Sequence, residues 1–350
     1  MTLLNFAIGL CLLVGGGELL VRGASRLAAA VGVSPLVIGL TVVAFGTSSP
    51  EAAVGLRSSL AGQPDIALGN VVGSNICNVL LVLGLSAAIA PLVVARQLVR
   101  LDLPLMIGAS VALLLVSLDG RISLADGAIL FSALLVYVVW TIRESRREPA
   151  PRTTMPRNAS PRRMALHLGI AVLGLVLLSA GANMLVASAV AMAREWHLSE
   201  LVIGLTIVAV GTSLPELATS AVAAFRGERD IAVGNVVGSN TFNVLFVLGL
   251  SAIVAPEGIS VSRAALGFDI PIMIAVAVAC LPVFFTNHLI ARWEGVLFVF
   301  YFGAYTAYLL LGTAQHQAVR GFNMIMIFFM IPITVLTLVV LAVRSYRPEL

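Results

Sequence analysis

The 350-residue chain has a net charge of +4, with charged residues at 11% of positions and hydrophobic residues at 59%. Soluble globular proteins carry about 25% charged residues, so this composition cannot cover a soluble surface. It also excludes disordered, collagen-like and disulfide-scaffold classes and predicts an all-α polytopic membrane protein. All 21 basic residues are arginine, which excludes a lysine Schiff base and a P-loop lysine, and they form no stripe for a nucleic acid.

A bilayer crossing needs roughly 17–25 apolar residues. In chain order such stretches fall at 3–29, 35–59, 66–92, 103–118, 123–142, 164–192, 200–225, 231–255, 268–285, 290–312 and 322–343, eleven in all. The first has no basic flank and no small-residue cleavage site, and reads as a retained span rather than a signal peptide. Cys11, Cys77 and Cys280 lie inside apolar runs, with no CxxC or Cys/His pairing. The one long polar stretch, 143–163, holds seven Arg, two acids and four Pro, and reads as a linker without a core.

Short Arg-rich loops stay cytoplasmic. The 143–163 loop follows the fifth span, so the N-terminus is expected outside. The C-terminus, with Arg344 and Arg347, is then inside, as are Arg96 and Arg100. With no transit peptide and no large regulatory domain, the expected location is a prokaryotic plasma membrane.

Residues 39–91 repeat at 204–256 with a shift of 165 and no gap, and 33 of the 53 positions are identical. GLTVVAFGTSSPE matches GLTIVAVGTSLPE, and DIALGNVVGSNICN matches DIAVGNVVGSNTFN. The polar residues match best, so shared hydrophobicity does not account for the likeness. Weaker similarity between LDLPLMI (101–107) and FDIPIMI (268–274) extends the unit to about five spans. Five is odd, so the second copy is expected upside down relative to the first. Inverted repeats place a site at their interface near the bilayer midplane. The span at 322–343 lies outside the repeats.

Glu51 and Glu216 fall in the middle of their spans, where an ionised carboxylate costs at least a few kcal/mol and needs a partner. Arg57 and Arg226 sit toward span ends, so a bound cation is the natural partner. Thr47 and Ser48 precede Glu51 by four and three residues, and a helix stacks them on one face; Thr212, Ser213 and Glu216 repeat the spacing. Pro50 and Pro215 leave the carbonyls of Gly46 and Gly211 without helical donors, which is tolerable at membrane depth only against a cavity or ligand. Ser74/Asn78 and Ser239/Asn243 stand at i,i+4 spacing on the partner helices. For Asn70, Asn75, Asn235 and Asn240 two readings stay open, site residue or helix glue. Every donor is an oxygen, which suits Ca²⁺ or Na⁺ rather than Zn²⁺ or Cu⁺. Glu18 is expected to pair with Arg22, Asp65 and Asp230 to cap helix starts, and Asp126 and Glu294 to sit at helix N-termini.

GTSSPE and GTSLPE, each followed by GNVVGSN and a further Asn, resemble the two α-repeats of the cation/calcium exchanger superfamily. The nearer branch is the bacterial sodium/calcium antiporters related to potassium-dependent exchangers. The resemblance covers about residues 1–312. It implies ten spans in two inverted halves, a first exchanger repeat at 1–142 and a second at 164–312, exchanging Ca²⁺ for Na⁺ by alternating access. Carried over by motif, the ion ligands are Thr47, Ser48, Glu51, Ser74, Asn78, Thr212, Ser213, Glu216, Ser239 and Asn243, with the backbone carbonyls of Ala44 and Ala209. Ca²⁺ and Na⁺ are thus transported ions, with K⁺ a further candidate, and the partner is the lipid bilayer. Many relatives carry Asp at the position of Asn243, so this chain has one charge fewer. Two other readings stand: a proton-coupled Ca²⁺ antiporter, and a cation channel, against which the inverted repeat and broken helices argue. No nucleophile–base set or cofactor motif points to an enzyme.

Overall fold

The computed structural model describes residues 2–147, 161–196 and 209–313, and residues 207, 326, 331, 334, 335 and 339 singly. Helix α1 (Thr2–Val31) opens the chain. A bent pair follows, α2 (Pro35–Thr47) and α3 (Ser49–Leu60), inclined at 44°. Next come α4 (Pro64–Ile89), α5 (Leu98–Val116) and α6 (Leu124–Arg147). The second half runs through α7 (Pro161–Glu195), a helical turn at Ala209–Gly211 and α8 (Leu214–Phe225). It ends with α9 (Arg229–Val254), α10 (Ala265–Phe285) and α11 (Arg292–Thr313).

Among the described residues eight helices are long and apolar enough to cross a membrane, and the bent α2–α3 pair makes nine. The protein is a helical integral membrane protein. Of the expected span at 200–225, residues 200–206 and 208 lie outside the described residues, and α8 covers its second half. The expected span at 322–343 also lies outside them apart from single positions, one of which, Thr334, accepts a 2.6 Å hydrogen bond from Tyr301 on α11.

Local chemistry sets the helix ends. Ser34 accepts from the Val37 amide, with Pro35 in the first turn of α2, an N-cap arrangement that uses proline where its missing N–H costs nothing. Asp126 accepts from the Ser123 amide at 2.9 Å and Glu294 from the Ala291 amide at 2.8 Å, so both acids serve helix N-termini as expected. Asp65 and Asp230 do not cap. They lie in the first turns of α4 and α9, behind Gln63 and Glu228 at the cap positions, and no side-chain cap bond forms. Asp65 instead accepts from Ser260. Glu18 pairs with Arg22 as expected, and also with Arg226.

Two backbone contacts help to tie the halves together. The first spans of each half, α1 and α7, meet along glycines. A Cβ on Gly16 would stand 2.6 Å from the Leu178 nitrogen, one on Gly174 2.5 Å from the Leu20 nitrogen, and one on Gly181 2.6 Å from the Leu13 nitrogen. Backbones approach this closely only where side chains are missing. The second contact is a pair of two-residue ribbons. Strand β1 (Leu92–Val93) pairs antiparallel with β4 (Leu289–Ile290), and β2 (Arg121–Ile122) with β3 (Ile259–Ser260). Each ribbon takes one strand from either half, and the exchange is reciprocal.

The most enclosed spans are α4 and α9, at the centre of the bundle. Both carry π-helical turns at matching places, Asn78–Leu83 and Asn243–Leu248. Such turns break the hydrogen-bond ladder and recur at functional sites. Away from the centre, Asp102 on α5 is buried; it accepts from the Tyr137 hydroxyl of α6 at 3.0 Å and from Gln97 at 3.5 Å. Removing the nearer donor with Tyr137→Phe is expected to lower stability by about 1–3 kcal/mol. Thermal unfolding of the detergent-solubilised protein measures it, and an unchanged midpoint would rule out this bond as a brace between α5 and α6.

Candidate functional site

Both breaks fall where the prolines require them. Ser48 (φ −80°, ψ 6°) interrupts α2 and α3, and Ser213 (φ −86°, ψ 6°) stands before α8. Glu51 and Glu216 therefore occupy the first turns of α3 and α8, where the helix dipole favours a carboxylate. The C-terminal turn of α2 lies directly before the first of these breaks. There the Ala44 oxygen accepts from the Ser48 amide at 3.0 Å and from Thr47 Oγ1 at 3.4 Å.

The two halves interlock around the carboxylates. Thr212 and Ser74 stand beside Glu51; Thr47, Ser48 and Ser239 stand beside Glu216. Ser48 donates to Glu216 Oε1 at 3.2 Å, and Thr47 Oγ1 lies 3.4 Å from Ser239 Oγ. Each glutamate thus meets hydroxyls from both halves. Thr47, Ser48, Glu51, Ser74, Asn78, Ser213, Glu216, Ser239 and Asn243 are all buried, while Thr212 is half-buried.

Several of these oxygens have no protein partner among the described residues. Both carboxylate oxygens of Glu51 lack one, as do Glu216 Oε2, Ser74 Oγ, Ser213 Oγ, Asn78 Oδ1 and Asn243 Oδ1. Buried polar atoms are rarely left so, because each costs about 1–3 kcal/mol and a charged group more. A concentration of them at one point is a site built for a ligand that accepts electron density from oxygen. Among the described residues no three His, Cys, Asp or Glu side chains converge, and the unpartnered oxygens gathered here are hydroxyl and amide oxygens beside two carboxylates. That chemistry suits a hard cation and not a soft transition metal.

The four asparagines left open by the sequence separate cleanly. Asn70 and Asn235 belong to the site's frame. Asn70 donates to the Glu51 carbonyl at 3.4 Å and accepts from Thr212 at 3.4 Å; Asn235 donates to the Glu216 carbonyl at 3.5 Å and accepts from Thr47 at 3.0 Å. Asn75 and Asn240 pin the crossing of α4 and α9, each amide donating to the other's backbone carbonyl, at 3.2 and 3.4 Å. Cys77 is a neighbour that sequence reasoning missed: its sulfur stands beside Ser213. An apolar-looking run gave no signal for it.

A buried oxygen-only cation site, framed by two copies of one motif in a polytopic membrane protein, defines a membrane ion transporter. The comparisons with known proteins agree. Residues 1–143 and 166–311 match the family described as "Sodium/calcium exchanger protein", and the chain belongs to that family of cation antiporters. The sodium/calcium exchanger MaX1 of Methanosarcina acetivorans is 32% identical over 345 residues, covering 87% of this chain and 98% of its own. The putative antiporter CaxA of Alkalimonas amylolytica is 37% identical over 281 residues, covering 78% and 86%. Inner membrane protein YrbG of Escherichia coli K12 is 40% identical over 233 residues, covering 64% and 71%. Among solved structures, the sodium-calcium exchanger NCX_Mj soaked with 2.5 mM Na+ and 1 mM Sr2+ superposes with a TM-score of 0.75 at 31% identity, covering 87% of this chain and 97% of that one.

Proposed function

We propose that the protein exchanges Ca²⁺ for Na⁺ by alternating access, with Glu51 and Glu216 at a shared midplane site and Thr47, Ser48, Ser74, Asn78, Thr212, Ser213, Ser239, Asn243 and the carbonyls of Ala44 and Ala209 around them. The observation that carries this reading is the pair of buried carboxylates with oxygens left unpartnered. Two carboxylates neutralise one divalent ion or two monovalent ions. Ca²⁺ and Na⁺ then compete for one set of ligands, which is the physical minimum for exchange. The names of MaX1 and NCX_Mj point the same way.

Strand pairing supports ten spans in two inverted halves. β1 and β4 pair, so they lie on one side of the membrane, and the crossings between them must be even in number. Helices α5, α6, α7, α9 and α10 supply five. Parity asks for a sixth, and the 200–225 stretch that ends in α8 is apolar enough by sequence to be it. Five crossings per half turn the second copy over. With the Arg-rich 143–163 loop in the cytoplasm, the N-terminus lies outside. Cysteines placed at Arg152 and Gln63 in a background lacking Cys11, Cys77 and Cys280 are expected to react with an impermeant thiol reagent from opposite sides. Labelling from the same side would contradict the inverted arrangement.

The coupling ion is tested by Ca²⁺ flux in proteoliposomes with Na⁺, K⁺ and H⁺ gradients imposed one at a time. A Na⁺ gradient is expected to drive Ca²⁺ uphill. Flux driven by H⁺ alone would make the protein a proton-coupled antiporter, and flux indifferent to any trans ion would make it a channel.

A further inference from the structure

We infer that Asn75, which is not among the ligands proposed above, is a positioning residue: it fixes which way round the Asn243 amide sits, so that Asn243 turns its oxygen and not its NH₂ toward the cation. The inference rests on the reading of Asn243 as a ligand.

The argument is one of hydrogen-bond polarity. A carboxamide is nearly symmetric in shape, but one end only donates and the other only accepts. One end of Asn75 meets the backbone carbonyl of Asn240 on α9 at 3.2 Å and Met273 Sδ on α10 at 3.5 Å. Both are acceptors, so this end must be the nitrogen. The other end is then Oδ1, an acceptor, and it receives Asn243 Nδ2 at 3.0 Å. Asn243 thereby has its nitrogen spoken for, and its Oδ1 is left buried and without a protein partner. Reversing Asn243 would set two amide oxygens against each other and aim an NH₂ group at the cation, both unfavourable in a dry interior. A backbone carbonyl, which cannot flip, thus dictates the polarity of a side chain two links away.

The corresponding amide in the first half has no such device. Asn240 donates to the Asn75 carbonyl at 3.4 Å, but among the described residues its Oδ1 has no partner, and neither amide atom of Asn78 has one. The fixed acceptor is on the Asn243 side alone.

Aspartate at 243 needs no orienting, since its two oxygens are equivalent. The test is therefore a double-mutant cycle, read as equilibrium ⁴⁵Ca²⁺ binding to the purified full-length protein in Na⁺-free buffer. In the native background Asn75→Ala and Asn75→Ser are expected to weaken Ca²⁺ binding about fivefold or more. Ser keeps a hydroxyl donor for the Asn240 carbonyl, so it preserves the crossing where Ala loosens it. In the Asn243→Asp background the same substitutions are expected to change affinity by less than about twofold. Equal losses in both backgrounds would reduce Asn75 to a packing role and overturn the inference, as would native affinity in both single variants. Asn243→Ala separates the two levels. Unchanged Ca²⁺ binding there removes Asn243 from the ligands and the inference with it, while weakened binding combined with equal losses in the cycle overturns the role of Asn75 alone.

Discussion

Glu51→Gln and Glu216→Gln are each expected to abolish Ca²⁺ transport while leaving the protein folded. Glutamine keeps the shape and one oxygen but removes a charge. A divalent ion facing a single buried carboxylate is under-neutralised, and uncompensated buried charge costs about 3–5 kcal/mol. That corresponds to a loss of roughly two to three orders of magnitude in affinity. Without Ca²⁺ the effect on stability runs the other way. Neither oxygen of Glu51 has a partner, so replacing it with a neutral amide removes an uncompensated carboxylate from the interior. Thermal unfolding without divalent ions or Na⁺ should therefore show no destabilisation, and added Ca²⁺ should stabilise the native protein but neither variant. Full transport by both variants would remove these glutamates from the site.

Gly174→Leu is expected to separate α1 from α7. Even the Cβ of the new side chain would stand 2.5 Å from the Leu20 nitrogen and 2.8 Å from the Gly16 oxygen, both backbone atoms. Overpacking in a closely fitted interior costs about 1–3 kcal/mol. Here the obstructing atoms belong to a helix that moves only as a whole, which puts the cost at the upper end. Gly15→Leu is the control: on the same α1 as Gly16, its Cβ would meet nothing within 4 Å among the described residues. Thermal unfolding should show a large loss for Gly174→Leu and little for Gly15→Leu. Equal effects would mean that the glycine contact does not hold the two helices together.

The candidate ligands were legible in the sequence because polar residues inside apolar spans are costly, and the duplication showed them twice. Thr47, Ser48 and Glu51 recur as Thr212, Ser213 and Glu216, and the proline just ahead of each glutamate, Pro50 or Pro215, marks the helix break seen two residues before it at Ser48 and Ser213. What was not legible depends on the direction in which a side chain points. Asn70 and Asn75 lie five residues apart on one helix with the same composition around them, yet one frames the site and the other pins the helix crossing. Asp102 and Tyr137 are 35 residues apart, and no periodicity joins them. The glycines at 9, 16 and 23 of α1 recur every seven residues, but in a chain with 31 glycines that spacing acquires meaning only once Leu185, Leu178 and Ala171 are seen against them. Asp65 looked like a cap because it opens a helix, and the helix starts one residue earlier, at Pro64.

The central claim is that one set of oxygens serves both ions in turn. Equilibrium ⁴⁵Ca²⁺ binding to the purified protein at rising Na⁺ tests it most directly. Two carboxylates that neutralise either one Ca²⁺ or two Na⁺ predict competitive displacement, with a Hill coefficient for Na⁺ above one and with specific Ca²⁺ binding lost in Glu51→Gln and Glu216→Gln. A Ca²⁺ affinity that stays constant as Na⁺ rises would contradict a shared site.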